Sequence, residues 1–138
     1  MKVLVDTCVW LLSLRRRNKA PINATEQQVL AQLREAIQDR RVTIIGPIRQ
    51  EILSGIRDKA MFAKTEELLD PFLDEEIRAA DYVEAARLFN LCRDHGVQCG
   101  PVDILVCALA VRNHFEIMTY DQGLKRCIQV FEAEGLIK

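Results

Sequence analysis

Four carboxylates stand at positions where an ordinary solvated acid is not expected: Asp6, Glu51, Asp103 and Asp121. Two of them end short apolar stretches, and two lie in helical stretches with an apolar face. Four bare negative charges cannot share a partly buried pocket unless some are protonated or a cation neutralises them. The set contains only oxygen donors and no histidine, which favours Mg²⁺ or Mn²⁺ over zinc.

The chemistry that such a set supports is metal-dependent hydrolysis of phosphodiester bonds, because a hard divalent ion binds phosphates and activates water. Each acid also has an ordinary structural interpretation. Asp6 can cap a strand, Asp103 a helix, Asp121 can form a turn and Glu51 a surface ion pair. Taken together, their positions favour one shared site.

The two strand-end acids follow stretches that read as buried strands. Residues 3–5 are apolar without alternation, which is typical of a strand covered on both faces in a parallel sheet. Asp6 then lies at the carboxyl end of that strand, the edge where open α/β sheets bind ligands. Residues 116–120 predict a similar strand that ends at Asp121.

The other two acids are predicted near helix starts. After a strand over 41–45, Pro47 suits the first turn of a helix in which Glu51 lies within or beside the stripe of Ile48 and Ile52. A second helix opens at residues 100–101, and after Asp103 it has no polar residue until position 112. A helix that is apolar on all sides is a central one, and its first turn favours an anion.

The remaining pattern alternates helices and strands. The other predicted elements are helices over 7–14, 23–39, 58–69, 77–95 and 122–127 and strands over 71–73 and 129–131. The apolar stripe of the second helix is Val29, Leu30, Leu33 and Ile37. Strands separated by helices imply parallel βαβ crossovers. We therefore expect a single α/β domain over residues 1–138, a three-layer α/β/α sandwich around a parallel sheet of four to five strands.

Composition places the chain among soluble globular proteins. It has 138 residues, of which 49% are hydrophobic and 28% charged, with a net charge of -1. The longest apolar run, 104–111, is too short to span a bilayer, and the first acid comes too early for a signal peptide. Five cysteines without a CxxC pair predict buried free thiols, which fit a reducing cytoplasm.

Four segments carry a common pattern: 5–10 (VDTCVW), 49–55 (RQEILSG), 101–110 (PVDILVCALA) and 119–121 (TYD). Together they resemble the PIN domain, and within it the short VapC-type toxin ribonucleases of bacterial toxin–antitoxin pairs. The resemblance implies a Rossmann-like fold and an endoribonuclease that depends on Mg²⁺ or Mn²⁺. The family's acids map onto Asp6, Glu51, Asp103 and Asp121 as metal-binding and catalytic groups.

The same resemblance assigns two hydroxyl groups. Thr7 matches the small hydroxyl residue after the first acid, and Thr119 a polar residue before the last, so both are expected to orient ligands or water. Two departures from the family pattern are Cys8, where Ser or Asn is more usual, and the pair 106–107, where small alanines are common. Neither departure removes an acid.

Basic and apolar surfaces suggest partners. Arg15, Arg16 and Arg17 can hold RNA phosphates at the rim of the acidic pocket, although a solvated charge run is equally compatible with them. The resemblance implies a homodimer and a groove for an antitoxin, for which Met61 and Phe62 are the leading candidates.

Three alternatives remain open at this stage. One is a PIN-domain nuclease that processes RNA without an antitoxin. Another is a module that binds metal or RNA without hydrolysis, against which the presence of all four acids argues. The third is phosphoryl transfer through Asp6, but the DxD pattern that this chemistry often uses is broken by Cys8.

Overall fold

Parallel strands form the centre of the protein in the computed structural model, which describes residues 1–16 and 21–137. In these ranges the strands are β1 Val3–Val5, β2 Val42–Ile44, β3 Leu73–Asp74 and β4 Glu116–Met118. They pair in the order β3-β2-β1-β4, and every pairing is parallel. The expected α/β architecture with a parallel sheet is confirmed, and four strands belong to it.

The strand order reverses direction once. The chain moves outward from β1 to β2 and β3, then crosses to the other side of β1, where β4 pairs with it from Val3↔Glu116 to Val5↔Met118. Right-handed crossovers place the connections before and after such a reversal on opposite faces of the sheet. A crevice opens at the carboxyl ends of the two strands that flank the reversal, here β1 and β4.

Helices connect the strands. Their bounds are α1 Thr7–Arg16, α2 Ala24–Gln38, α3 Gly46–Ser54, α4 Lys59–Leu69, α5 Ala79–Asp94, α6 Pro101–Asn113 and α7 Gln122–Ala133. Asn23 caps α2 through a reciprocal pair of bonds with Glu26, and Asp58 caps α4. None of the described helices has the length and apolar character needed to cross a membrane.

Two expectations from the sequence are wrong. Residues 129–131 do not form a last strand but belong to α7, because Leu124, Cys127 and Phe131 recur at helical spacing and are all buried. In α2, Ile37 is 39% exposed and Ala36 is buried in its place, so the apolar stripe rotates by one residue at the end of the helix.

Two groups of buried residues make up the core. The first joins the strands to α1, α2 and α3, and the second joins α5, α6 and α7. Helix α6 contributes Val106 and Leu109 to the first group and Cys107 and Ala108 to the second. This double role explains why its sequence is apolar on all sides.

Trp10 anchors α1 against the end of β1. Its side chain is 5% exposed, its indole Nε1 donates a hydrogen bond to the Val5 carbonyl at 3.1 Å, and its ring meets Phe72 edge-on with centroids 4.9 Å apart. The buried indole therefore has both an apolar contact and a partner for its N–H. These contacts fix the first turn of α1 relative to the strand end.

A buried carboxylate joins α5 to α6. The side chain of Asp81 is 4% exposed, and it accepts hydrogen bonds from Arg112 Nε at 2.8 Å and from the Arg78 backbone N–H at 2.8 Å. The pair stabilises the contact between the two helices only while both partners are present, because a buried charge without a partner is costly.

We expect Arg112→Leu to lower the free energy of unfolding by about 2 kcal/mol, since Asp81 would stay buried without its charged partner. The measurement is urea unfolding followed by circular dichroism. Arg87→Leu is the matched control, because Arg87 is exposed and its ion pair with Glu84 lies on the surface. That change should cost less than about 0.5 kcal/mol. Equal losses in the two variants would contradict the role given to the buried pair.

Candidate active site

The fold brings the four acids to one edge of the sheet. Asp6 directly follows β1, and Asp121 follows β4 as the N-cap of α7. Glu51 lies in α3, which follows β2, and Asp103 lies in the first turn of α6, whose N-terminus faces the same edge. All four therefore surround the crevice where the strand order reverses.

Asp6 is the most buried of the four acids, at 5% exposure. Its Oδ1 accepts a hydrogen bond from the Thr7 backbone N–H at 2.8 Å. Its Oδ2 accepts one from the Thr119 hydroxyl at 2.8 Å and one from the Cys8 thiol at 3.3 Å. Three donors thus hold this carboxylate in a single orientation.

Glu51 is exposed and lies beside the buried stripe of α3, not within it. Its Oε1 accepts a hydrogen bond from the Thr7 hydroxyl at 2.7 Å. Thr7 therefore contacts two of the acids, Asp6 through its backbone N–H and Glu51 through its side chain.

Asp103 shows that the four acids act on one another. Burial, together with the negative charges of Asp6, Asp121 and Glu51, raises the pKa of its carboxyl to about 6. Each carboxylate that ionises disfavours the ionisation of its neighbours. Such a pocket attracts a cation, which would remove this repulsion.

Asp121 is exposed and has a capping role. Its Oδ2 accepts the Leu124 backbone N–H at 2.8 Å, and its own N–H donates to the Thr119 hydroxyl oxygen at 3.0 Å. Thr119 thereby links Asp6 and Asp121. Gly123 leaves room for the carboxylate, because a Cβ at that position would lie 3.1 Å from Asp121 Oδ2.

The donor set fits a hard divalent cation, since carboxylate oxygens are the ligands that Mg²⁺ and Mn²⁺ prefer. Within residues 1–16 and 21–137, no three acidic, cysteine or histidine side chains already converge as a finished metal cage. Two of the acids, Glu51 on α3 and Asp121 at the start of α7, have exposed side chains.

Cys8 contacts the site in a way that the sequence did not reveal. Its half-buried Sγ lies 3.3 Å from Asp6 Oδ2 and 3.5 Å from Thr119 Oγ1. Burial raises the pKa of the thiol, so the neutral form that can donate to Asp6 is favoured. Only the spacing of Cys8 two residues after the first acid hinted at this contact.

The other residues singled out in the sequence have mixed outcomes. Arg17 and the side chains of Arg15 and Arg16 lie outside the described residues. Met61 and Phe62 are 46% and 38% exposed on α4. Four of the five free cysteines are buried, as expected, and Cys8 is half-buried.

We expect Asp103→Asn to stabilise the metal-free protein above about pH 6. A carboxyl whose pKa is raised by folding favours the folded state while it is protonated, and that contribution is lost as the pH rises from about 4 through about 6. The variant should gain on the order of 1 kcal/mol at pH 8, after allowance for solvent screening, or roughly 3 °C in Tm.

The measurement is thermal unfolding in EDTA at pH 4 and pH 8. The gain should disappear at pH 4, where the carboxyl is protonated. Added Mg²⁺ should reduce the Tm difference between variant and wild type at pH 8, because the cation stabilises the wild-type pocket. A Tm difference that is the same at both pH values would contradict the electrostatic origin of the effect.

The chain matches one family of known proteins. The model of the PIN domain family matches residues 3–127, which include all four acids and both threonines of the crevice. No curated protein matches the chain.

Proposed function

The chain belongs to the PIN domain family, and from this membership we propose that it is an endoribonuclease that depends on Mg²⁺ or Mn²⁺ and acts as the toxin of a type II toxin–antitoxin pair. PIN domains are generally nucleases, act on RNA and typically use divalent metal ions. The observation that carries the catalytic part of the proposal is the crevice in which burial and the charges of Asp6, Asp121 and Glu51 raise the pKa of Asp103.

The four acids would hold the cation. When bound, a divalent ion lowers the pKa of coordinated water and neutralises charge on the phosphate. Asp6 is the rigid member of the set, because three donors fix its two oxygens. Glu51 and Asp121 are the exposed members, which leaves the crevice open to a polymer.

Thr7 and Thr119 position the acids. Thr7 links Asp6 to Glu51, and Thr119 links Asp6 to Asp121. Hydrogen bonds of this kind fix the orientation of metal-binding carboxylates. We propose that Arg15, Arg16 and Arg17 bind RNA phosphates.

The toxin part of the proposal rests on the apolar surface of α4. Met61 and Phe62 project from the first turns of this helix and keep a large part of their apolar area exposed. We assign this surface to a groove for an antitoxin segment, and we assign the protein to the cytoplasm as a homodimer.

The nuclease is tested by incubating the purified protein with a randomised single-stranded RNA in Mg²⁺, in Mn²⁺ and in EDTA. The proposal requires internal cleavage with either ion and none in EDTA. Cleavage that persists in EDTA would exclude a metal-dependent reaction, and intact RNA in both ions would exclude a nuclease.

The toxin role is tested by expressing the gene alone and together with the adjacent upstream gene. Growth arrest that co-expression relieves is the expected result. Harmless expression of a protein that cleaves RNA in vitro would favour the alternative, a PIN-domain nuclease in RNA processing without an antitoxin.

A further inference from the structure

A cavity of about 510 Å³ opens beside the four acids. It shares Thr7 and Glu51 with the acidic crevice, and its remaining walls come from α1, α3 and the first turn of α6. The volume lies in the range of small-molecule sites. Because the cavity and the crevice have two residues in common, a polymer bound at the acids lies next to the cavity.

The walls combine apolar and polar groups. Leu11, Pro47 and Val102 provide apolar surface, and Leu11 is 46% exposed although it lies in the helix that packs on β1. Gln50 and Ser54 are four residues apart on α3 and therefore lie on the same side of the helix. Both are exposed, and within the described part of the chain their side chains have no hydrogen-bond partner.

From this cavity we infer a base-binding subsite: one unstacked nucleobase next to the scissile phosphate enters it, and Gln50 reads the edge of that base. The inference rests on the proposed endoribonuclease. A carboxamide both donates and accepts hydrogen bonds, so it can pair with a base edge. Recognition of splayed-out bases is the usual way in which single-stranded RNA is read, and apolar side chains cover the faces of such a base.

The surroundings favour RNA over a protein segment. Three helices of nine residues or more begin around the cavity, α1 at Thr7, α3 at Gly46 and α6 at Pro101. The dipoles of these helices favour anions at their N-termini, such as the phosphates on both sides of the bound base. The acids would therefore bind the positive metal ion of a metal–RNA complex, and the helix N-termini would bind its negative phosphates.

The test measures binding in the Asp103→Asn background, in which we expect RNA cleavage to be abolished because Asp103 is one of the four proposed metal ligands. Binding is measured both with Mg²⁺ and in EDTA. Fluorescence anisotropy compares octamers of A, of C and of U with an octamer that carries no bases. We expect affinities among the three sequences to differ at least fivefold. Gln50→Leu should reduce this spread to less than twofold and leave the affinity for the base-free octamer unchanged.

Two further variants complete the design. Leu11→Ala should weaken binding of the base-carrying octamers about threefold and leave the base-free octamer unaffected. Gln38→Leu is the matched control, because Gln38 is the last residue of α2 and lies at the opposite edge of the sheet. It should change none of the affinities.

Equal affinity for the three sequences, or a spread that Gln50→Leu leaves intact, would overturn the inference, and the cavity would then be free for a protein segment. That result is distinguishable from a failure of the proposed function. If the wild type cleaves RNA but Gln50→Leu leaves the ranking of the three octamers unchanged, only the base-binding subsite is overturned. If the wild type cleaves no RNA, the proposed nuclease function is overturned.

Discussion

We expect Asp6→Asn to lower the rate of RNA cleavage by more than about 100-fold, because it removes the most buried acid of the crevice. Loss of a group that only orients a metal ligand costs 10- to 100-fold as a rule, so loss of a ligand itself should exceed that range. The rate is measured under single-turnover conditions with saturating Mn²⁺.

The fold should survive this change. Asn keeps an oxygen that can accept the Thr7 N–H, and its amide can donate to the Thr119 hydroxyl oxygen in place of the bond that Asp6 accepted. The matched control is Asp39→Asn, since Asp39 is an exposed acid after α2, at the opposite edge of the sheet. A variant at Asp6 that cleaves as fast as Asp39→Asn would show that the site has been assigned wrongly.

Phe131→Ala should give the largest loss of stability, about 3 to 5 kcal/mol. Phe131 is fully buried in the second core group, where it packs with Leu88 and Leu124 from α5 and α7. Truncation to Ala removes its apolar area from the core and leaves a cavity that rigid neighbouring helices cannot fill. Guanidinium unfolding followed by circular dichroism gives the free energy.

Phe89→Ala is the control for this prediction. Phe89 lies on the outer face of α5, is 40% exposed and makes a surface contact with Arg93. We expect a loss below about 1 kcal/mol there. If Phe131→Ala lowered the free energy of unfolding as little as Phe89→Ala does, the end of α7 would not be part of the folded core. A large loss at Phe131 would show that the structural unit continues beyond residue 127, where the family match ends.

Much of the fold could be predicted because local signals and burial agree. The apolar run before Asp6, the Gly-Pro start of α3 and the apolar helix after Asp103 each predicted an element that the structure contains. The strand predicted over residues 129–131 was wrong for a physical reason. Val130 and Phe131 are β-prone residues in a short run, and only their packing on α5 decides for a helix.

The composition of the site was more predictable than its detail. The identity of the acids followed from their unusual positions, because each stands at a strand end or a helix start. Their bonds did not follow, since Thr119 and Cys8 reach the same Asp6 oxygen from segments that are 111 residues apart in the chain. A sequence pattern carries no information about which of several hydroxyl or thiol groups meets a given carboxylate oxygen.

The pairing of β1 with β4 has a consequence for synthesis of the protein. Val3 pairs with Glu116, so one side of the first strand stays without its partner until 113 further residues have been made. At ordinary rates of translation this takes roughly 6 to 20 s. Thr119 and Asp121 come later still, and a nascent chain therefore carries Asp6 without the groups that fix it. The ribosome that makes this protein therefore releases Asp6 long before it releases Thr119 and Asp121.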